Sequence, residues 1–261
     1  MSTLFGNGTK ATTTQITTLP SKPTPPNIRT DTISAIIAGD LRIGKSTFAA
    51  SLPKPLIIAT EPGLGALETY QVQVQTWEQF IAVLRLLAKG DHDFQTIVID
   101  TVDPLWHAVG AWTVERFKGQ STIQHVSQFE HGKGWGIAGQ EFDRVMRLMM
   151  QLQMGKYFLT HIAKIRDTEK LGPSLATPAT RILTRLVDLI AYAKFQIVSS
   201  EDPDQPDTSA RILQLAPSAA WVSGCRFQHL LPDYVVMEAD NPSHQFTEAL
   251  AEASIKSKKE E

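Results

Sequence analysis

The sequence predicts an α/β fold, a mostly parallel sheet flanked by helices with a short antiparallel extension toward its C-terminal end. Three observations carry that expectation. Short apolar runs alternate with segments of helical period, the pattern of strands joined by crossover helices. SAIIA, PLIIA and TIVI hold the unbroken apolar runs AIIA, LIIA and IVI, as strands covered on both faces do. In the last third, RILQLAP and DYVVME are separated by turn residues, which reads as short antiparallel strands.

Length and composition agree. A chain of 261 residues buries one sizeable core plus tails. With 42% hydrophobic and 20% charged residues it has the make-up of an ordinary globular protein. The formal net charge of −2 exerts no global pull on nucleic acid, so any such binding needs a local basic patch. Cys225 is the only cysteine, and the fold therefore does not rely on an oxidising compartment. No run approaches the roughly 18 apolar residues of a membrane span, and MSTLFGNGTKATTTQITTLP has no apolar h-region. The expectation is a cytoplasmic protein with no membrane partner.

Residues 1–30, rich in Thr, Pro and Ser, read as a disordered N-terminal arm that cannot offset its ordering entropy. The core is expected over 31–240. Residues 241–261, closing with SIKSKKEE, read as a charged C-terminal tail, the end of a helix begun near Phe246. Within the core, TISAIIAG is the first strand and KPLIIAT the second. Trp77, Phe80, Ile81, Leu84, Leu87 and Ala88 share one helical face, and QTIVID follows as a buried strand. A second helix carries Leu105, Val109 and Trp112, and a third carries Ala138, Phe142, Val145, Met146, Met149 and Gln153, with a Gly-rich loop between them. KYFLTH is a further strand, a polar loop reaches to about Pro178, and LVDLIAYAKFQIVSS suits another core strand.

The segment Gly39, Asp40, Leu41, Arg42, Ile43, Gly44, Lys45, Ser46 fits G-x-x-x-x-G-K-[ST]. It sits between the strand SAIIA and the helix-like STFAASL, the context a phosphate-binding loop requires. Backbone N–H groups curled around such a loop point at phosphate oxygens, and the following helix adds its dipole. Lys45 is expected to reach the β and γ phosphates, the Ser46 hydroxyl to ligate Mg²⁺, and Thr47 to help hold the α phosphate. Asp100, closing QTIVID, is the expected acidic partner of Mg²⁺. Glu61, after PLIIAT, emerges at the same sheet edge. It either orients the attacking water or caps the turn PGLG. His107, His125, His131 and His161 have no zinc-ligand spacing, so no metal beyond Mg²⁺ is expected.

IIAGDLRIGKSTFAASLPKPLIIATEPGLGAL, TIVIDTVDPLW, HGKGWGIAGQEFDRVM and YFLTHIAK, with TPATRILTRLVDLIAYA and RILQLAPSAAWVSGCRF further on, together resemble the bacteriophage RecA-like recombination ATPases of the single-strand-annealing type, within the phage AAA-domain nucleotide-binding proteins. The resemblance spans roughly Ile33 to Leu231. It implies a RecA-like P-loop NTPase core using ATP and Mg²⁺, with Glu61 as the catalytic acid and His161 as the γ-phosphate sensor. It also implies a homo-oligomer, single-stranded DNA as ligand, and a single-strand binding protein as a candidate partner. Leu41 and Arg42 depart from the Pro or Gly that the family commonly places mid-loop, and GCRFQHLLP departs around Arg226.

In RecA-like cores the loops after the third and fourth strands touch single-stranded DNA. Here they correspond to FKGQSTIQHVSQFEHGKGWG and AKIRDTEKLGPSLATPATR. The first offers Lys133 beside Trp135, a cation next to a stacking platform, and the second offers Lys164, Arg166, Lys170 and Arg181. Asp167 and Glu169 interleave with those cations, which is also how a solvated loop looks. Arg181 and Arg185 are candidates to act on a neighbour's γ-phosphate. Two other readings stay open: a remodelling ATPase acting on a protein partner such as a helicase, and a non-catalytic nucleotide-binding interaction protein.

Overall fold

A computed structural model describes residue 19 and residues 21–117, 123–166, 168–198 and 208–258. The expected arm over 1–30 and the start of the first candidate DNA loop therefore fall largely outside the described residues. In chain order the elements are β1 (Ser34–Gly39), α1 (Lys45–Ala50), β2 (Pro55–Ala59), β3 (Tyr70–Gln73), α2 (Trp77–Lys89), β4 (Thr96–Asp100), α3 (Asp103–Arg116) and α4 (Lys133–Met150). There follow β5 (Gly155–Thr160), β6 (Ile162–Lys164), β7 (Leu171–Pro173), α5 (Thr177–Leu186), β8 (Leu189–Val198), β9 (Thr208–Gln214), β10 (Gly224–Cys225), β11 (Tyr234–Val236) and α6 (His244–Ser257).

The main sheet runs β11-β9-β8-β1-β5-β4-β2-β3, with β10 against β8. From β8 to β3 every pairing is parallel, whereas β9, β10 and β11 join antiparallel. The expected α/β class, with its antiparallel C-terminal extension, is the one the chain adopts.

Continuous apolar strands are explained by what covers them. Ala35, Ile37, Ile57, Val98, Tyr157 and Leu159 face a core completed by Phe48 of α1 and by Phe246, Leu250 and Ala253 of α6. Ile36, Ile58, Ile97, Ile99 and Phe158 face the opposite core, built on α2, α3, α4 and α5. Alternate residues of one strand thus feed two layers, and each large side chain so buried contributes about 1.5–3 kcal/mol. The segment read as a charged tail holds α6, whose inner face is buried. Local signals mark the boundaries: Thr76 and Gln79 form a capping box at the start of α2, satisfying two orphan N–H donors.

Several expectations are corrected. The Gly-rich segment expected as a loop is helical from Lys133 on. Gly134 lies so close to Phe129 and the Val126 carbonyl that a Cβ finds no room, which explains the glycine by packing. Gln153 is exposed beyond the end of α4, and Met154 takes the buried place. The stretch expected as a polar loop to Pro178 contains the antiparallel hairpin β6–β7, and α5 begins at Thr177 with a proline in its first turn. Proline there starts a helix, because that N–H has no intrahelical partner.

Candidate nucleotide site

Because β1, β5, β4 and β2 are parallel neighbours, their C-terminal ends share one edge. The loop after β1, Asp100 and Thr101 at the end of β4, Glu61 after β2 and His161 after β5 meet there. The loop turns through two left-handed residues, Arg42 at φ 61° and Gly44 at φ 99°. Glycine takes that region without a Cβ clash, whereas arginine is strained by about 1 kcal/mol.

Lys45 is buried. Its ammonium donates to the Gly39 carbonyl at 2.9 Å and the Asp40 carbonyl at 2.7 Å, so the side chain folds across the loop. Burial lowers its pKa, and Asp100, Asp40, Asp103 and Glu61 act against that shift. The Ser46 hydroxyl donates to Asp100 Oδ2 at 2.6 Å. Burial raises the Asp100 pKa, opposed by the bond from Ser46 and the charge of Lys45. A hydroxyl and a carboxylate are hard oxygen donors, and Mg²⁺ is bound through one or two such groups with water and phosphate filling its octahedron. The pair fits that ion.

Glu61 lies on the other side. It accepts a hydrogen bond from the Thr101 hydroxyl at 3.1 Å, and His161 Nε2 stands 3.9 Å from its Oε2. Thr60 donates to the Thr101 carbonyl at 2.6 Å, tying the ends of β2 and β4 together. A half-buried acidic neighbour escapes the sequence reading: Asp103, which accepts from Thr160 at 3.2 Å and whose pKa is raised by burial. Its nearness to Asp100 in TVD is a signal, but its partner lies far away along the chain. The edge holds a cleft of about 380 Å³, lined by the polar or charged Arg42, Lys45, Ser46, Thr47, Glu61, Asp100, Thr101 and His161 together with the apolar Leu64, Ala66 and Leu67. Its volume lies within the range of small-molecule sites.

The candidate DNA residues are brought together only in part. Lys164, Arg166 and Arg181 line one groove of about 730 Å³ between the β6–β7 hairpin and α5. Lys164 is paired with Glu169 at 2.8 Å, and Arg181 sits on α5 rather than in a loop. Lys170 is exposed outside that groove. Lys133 is exposed at the first residue of α4. Trp135 is not an open platform: its ring stacks on Trp106 at 5.5 Å and 8°, partly buried. Arg185 donates to the Arg181 carbonyl at 2.9 Å, and Arg226 reaches Asp188 and the Arg185 carbonyl.

A phosphate-type loop after the first of several parallel strands, facing an acid at the end of a second strand, defines the class of P-loop NTPases. The model of the AAA domain family matches residues 31–227, and the chain belongs to that family. Nucleotide binding and NTPase activity are what such membership implies. A search of curated proteins returned no match. Among the described residues no helix is long and apolar enough to cross a membrane.

Proposed function

We propose that the chain hydrolyses ATP in this cleft and uses the nucleotide state to control single-stranded DNA, as in strand annealing or recombination. The observation that carries the hydrolytic half is the juxtaposition of Ser46–Asp100 with Thr101–Glu61–His161 on one sheet edge. Lys45 turns from the Gly39 and Asp40 carbonyls to oxygens of the β and γ phosphates. Ser46 and Asp100 hold Mg²⁺, which when bound neutralises charge on those phosphates. Glu61, kept in place by the Thr101 hydroxyl, accepts a proton from the water that attacks the γ phosphorus. The bond from that phosphorus to the β-bridging oxygen breaks, and ADP leaves.

The DNA half rests on the family resemblance and on chain continuity. His161 lines the cleft beside Glu61, where the resemblance gives it the γ-phosphate, and β6 begins one residue later. A shift of His161 on hydrolysis would be passed to the hairpin carrying Lys164, Arg166 and Lys170.

Phosphate release is the test, measured with and without a single-stranded oligonucleotide at low and moderate salt. Mg²⁺-dependent release, increased by the oligonucleotide and abolished in Lys45→Ala, is expected. Release indifferent to the oligonucleotide but increased by a protein partner would support a remodelling ATPase instead. Tight ATP binding without release would support a non-catalytic role.

A further inference from the structure

The phosphate loop has two flanks, and the hydrolytic residues occupy only one. In the sheet order, β5, β4 and β2 lie on one side of β1 and bring His161, Asp100, Thr101 and Glu61. On the other side lie β8 and β9. Pairing of β1 with β8 stops at Gly39 opposite Ala193, whereas β8 and β9 stay paired from Tyr192 to Val198. Beyond Ala193 the two strands therefore form a ribbon that projects past the edge where the phosphate loop lies.

One face of that ribbon has an unusual composition. Ala193 packs in the core shared with α1 and α6, and side chains two and four residues on continue the same face. Those are Phe195 and Ile197, which are 63% and 69% exposed. Arg211 is the cross-strand partner of Phe195, so it shares that face about 5 Å away. Its guanidinium reaches back to the loop: Nη1 lies 2.7 Å from where a Cβ on Gly44 would sit, with the Met237 methyl also near. Arg211 is half-buried, and its side chain has no ion pair or hydrogen bond among the described residues. That guanidinium thus stands against the phosphate loop, and an exposed phenyl ring projects from the paired position on β8, on the flank opposite the hydrolytic residues.

From this we infer that Phe195 and Arg211 form the nucleobase subsite. The inference rests on the proposed nucleotide reading. A triphosphate whose γ end meets Glu61 and His161 runs its nucleoside toward the opposite flank. A planar base then stacks on the phenyl ring and the guanidinium plane, both of which accept any base through its π-face. Ile197 extends the apolar floor. Stacking of this kind distinguishes bases by ring area, so purine nucleotides are held more tightly than pyrimidine nucleotides.

Calorimetric titration of the full chain with ATP, UTP and inorganic tripolyphosphate separates the parts. In Phe195→Ala, ATP affinity is expected to fall about tenfold, with tripolyphosphate affinity unchanged and ATP brought close to UTP. Phe195→Trp should restore ATP binding. Equal ATP affinity in native protein and Phe195→Ala would overturn the subsite, as would parallel weakening of ATP and tripolyphosphate. A change of sedimentation coefficient in Phe195→Ala with ATP affinity intact would assign the face to a second copy of the chain and overturn it too. If native protein binds neither ATP nor tripolyphosphate, the nucleotide reading itself fails.

Discussion

Ser46 and Asp100 lie 54 residues apart in sequence, yet the Ser46 hydroxyl donates to Asp100 Oδ2 at 2.6 Å. The bond joins the helix after the phosphate loop to the end of β4, although β5 separates β4 from β1 in the sheet. His161, the residue that follows β5, therefore stands between the two halves of the site. If this pair holds Mg²⁺, Asp100→Asn should weaken the metal dependence without unfolding the protein, because Asn keeps an oxygen that accepts from Ser46. Titrating Mg²⁺ against phosphate release should show a midpoint about tenfold higher or more. An unchanged midpoint would remove Asp100 from the metal site.

Arg42 tests the loop's backbone. Its φ of 61° is the region glycine occupies without penalty, so Arg42→Gly should raise stability by up to about 1 kcal/mol if chain entropy does not offset the relief. The same change removes an exposed cation from the rim of the cleft. Thermal unfolding without nucleotide and ATP affinity at two salt concentrations separate the effects. Higher stability with weaker, less salt-sensitive ATP binding is the expected pair.

Lys156 gives a pH test away from the site. It is buried on β5, and burial lowers its pKa below the ordinary 10.5, with the charge of Asp188 acting the other way. Between the lowered value and 10.5 the unfolded chain holds more protons than the folded one, so stability rises with pH across that window. Below the window the cost of a buried ammonium is fully present. Lys156→Met should raise stability near neutral pH by about 1 kcal/mol and flatten that rise. Asp188 keeps its bonds from Ser34 and Arg226. Denaturation curves up to about pH 9.5 avoid the ordinary tyrosine range, where Tyr157 of the unfolded chain loses its proton while the buried phenol, its pKa raised well above 10.0, keeps it, so that stability falls with pH.

The groove between the β6–β7 hairpin and α5 is the place to test DNA. Replacing Lys164 and Arg181 with Ala should weaken oligonucleotide binding and reduce the slope of log affinity against log salt by about 0.7 for each phosphate no longer neutralised. Fluorescence anisotropy at several salt concentrations reads both. Lys133→Ala should leave the slope unchanged, since Lys133 lies outside this groove.

Much of the fold is legible in sequence because the strands are covered on both faces, which leaves unbroken apolar runs, and because the phosphate loop needs glycine at fixed places. Less legible are elements whose residues carry little burial. β3 is an edge strand with Tyr70, Gln71 and Gln73 exposed, so its pattern resembles a loop. The β6–β7 hairpin has only three residues per strand. Pro178 reads as the end of a loop although it lies in the first turn of α5. Trp135 looks available because its partner Trp106 comes from another helix. Asp103 and Arg211 escape the sequence for the same reason: what places them at the site is a tertiary contact, with Thr160 and Gly44 respectively.

The most direct test is Glu61→Gln, with bound nucleotide and phosphate release measured on the same samples. Gln keeps an oxygen for the Thr101 hydroxyl but cannot accept the water's proton. If Glu61 is the base, ATP stays bound with near-native affinity while turnover falls by about 10² or more. Native turnover in Glu61→Gln would contradict that role.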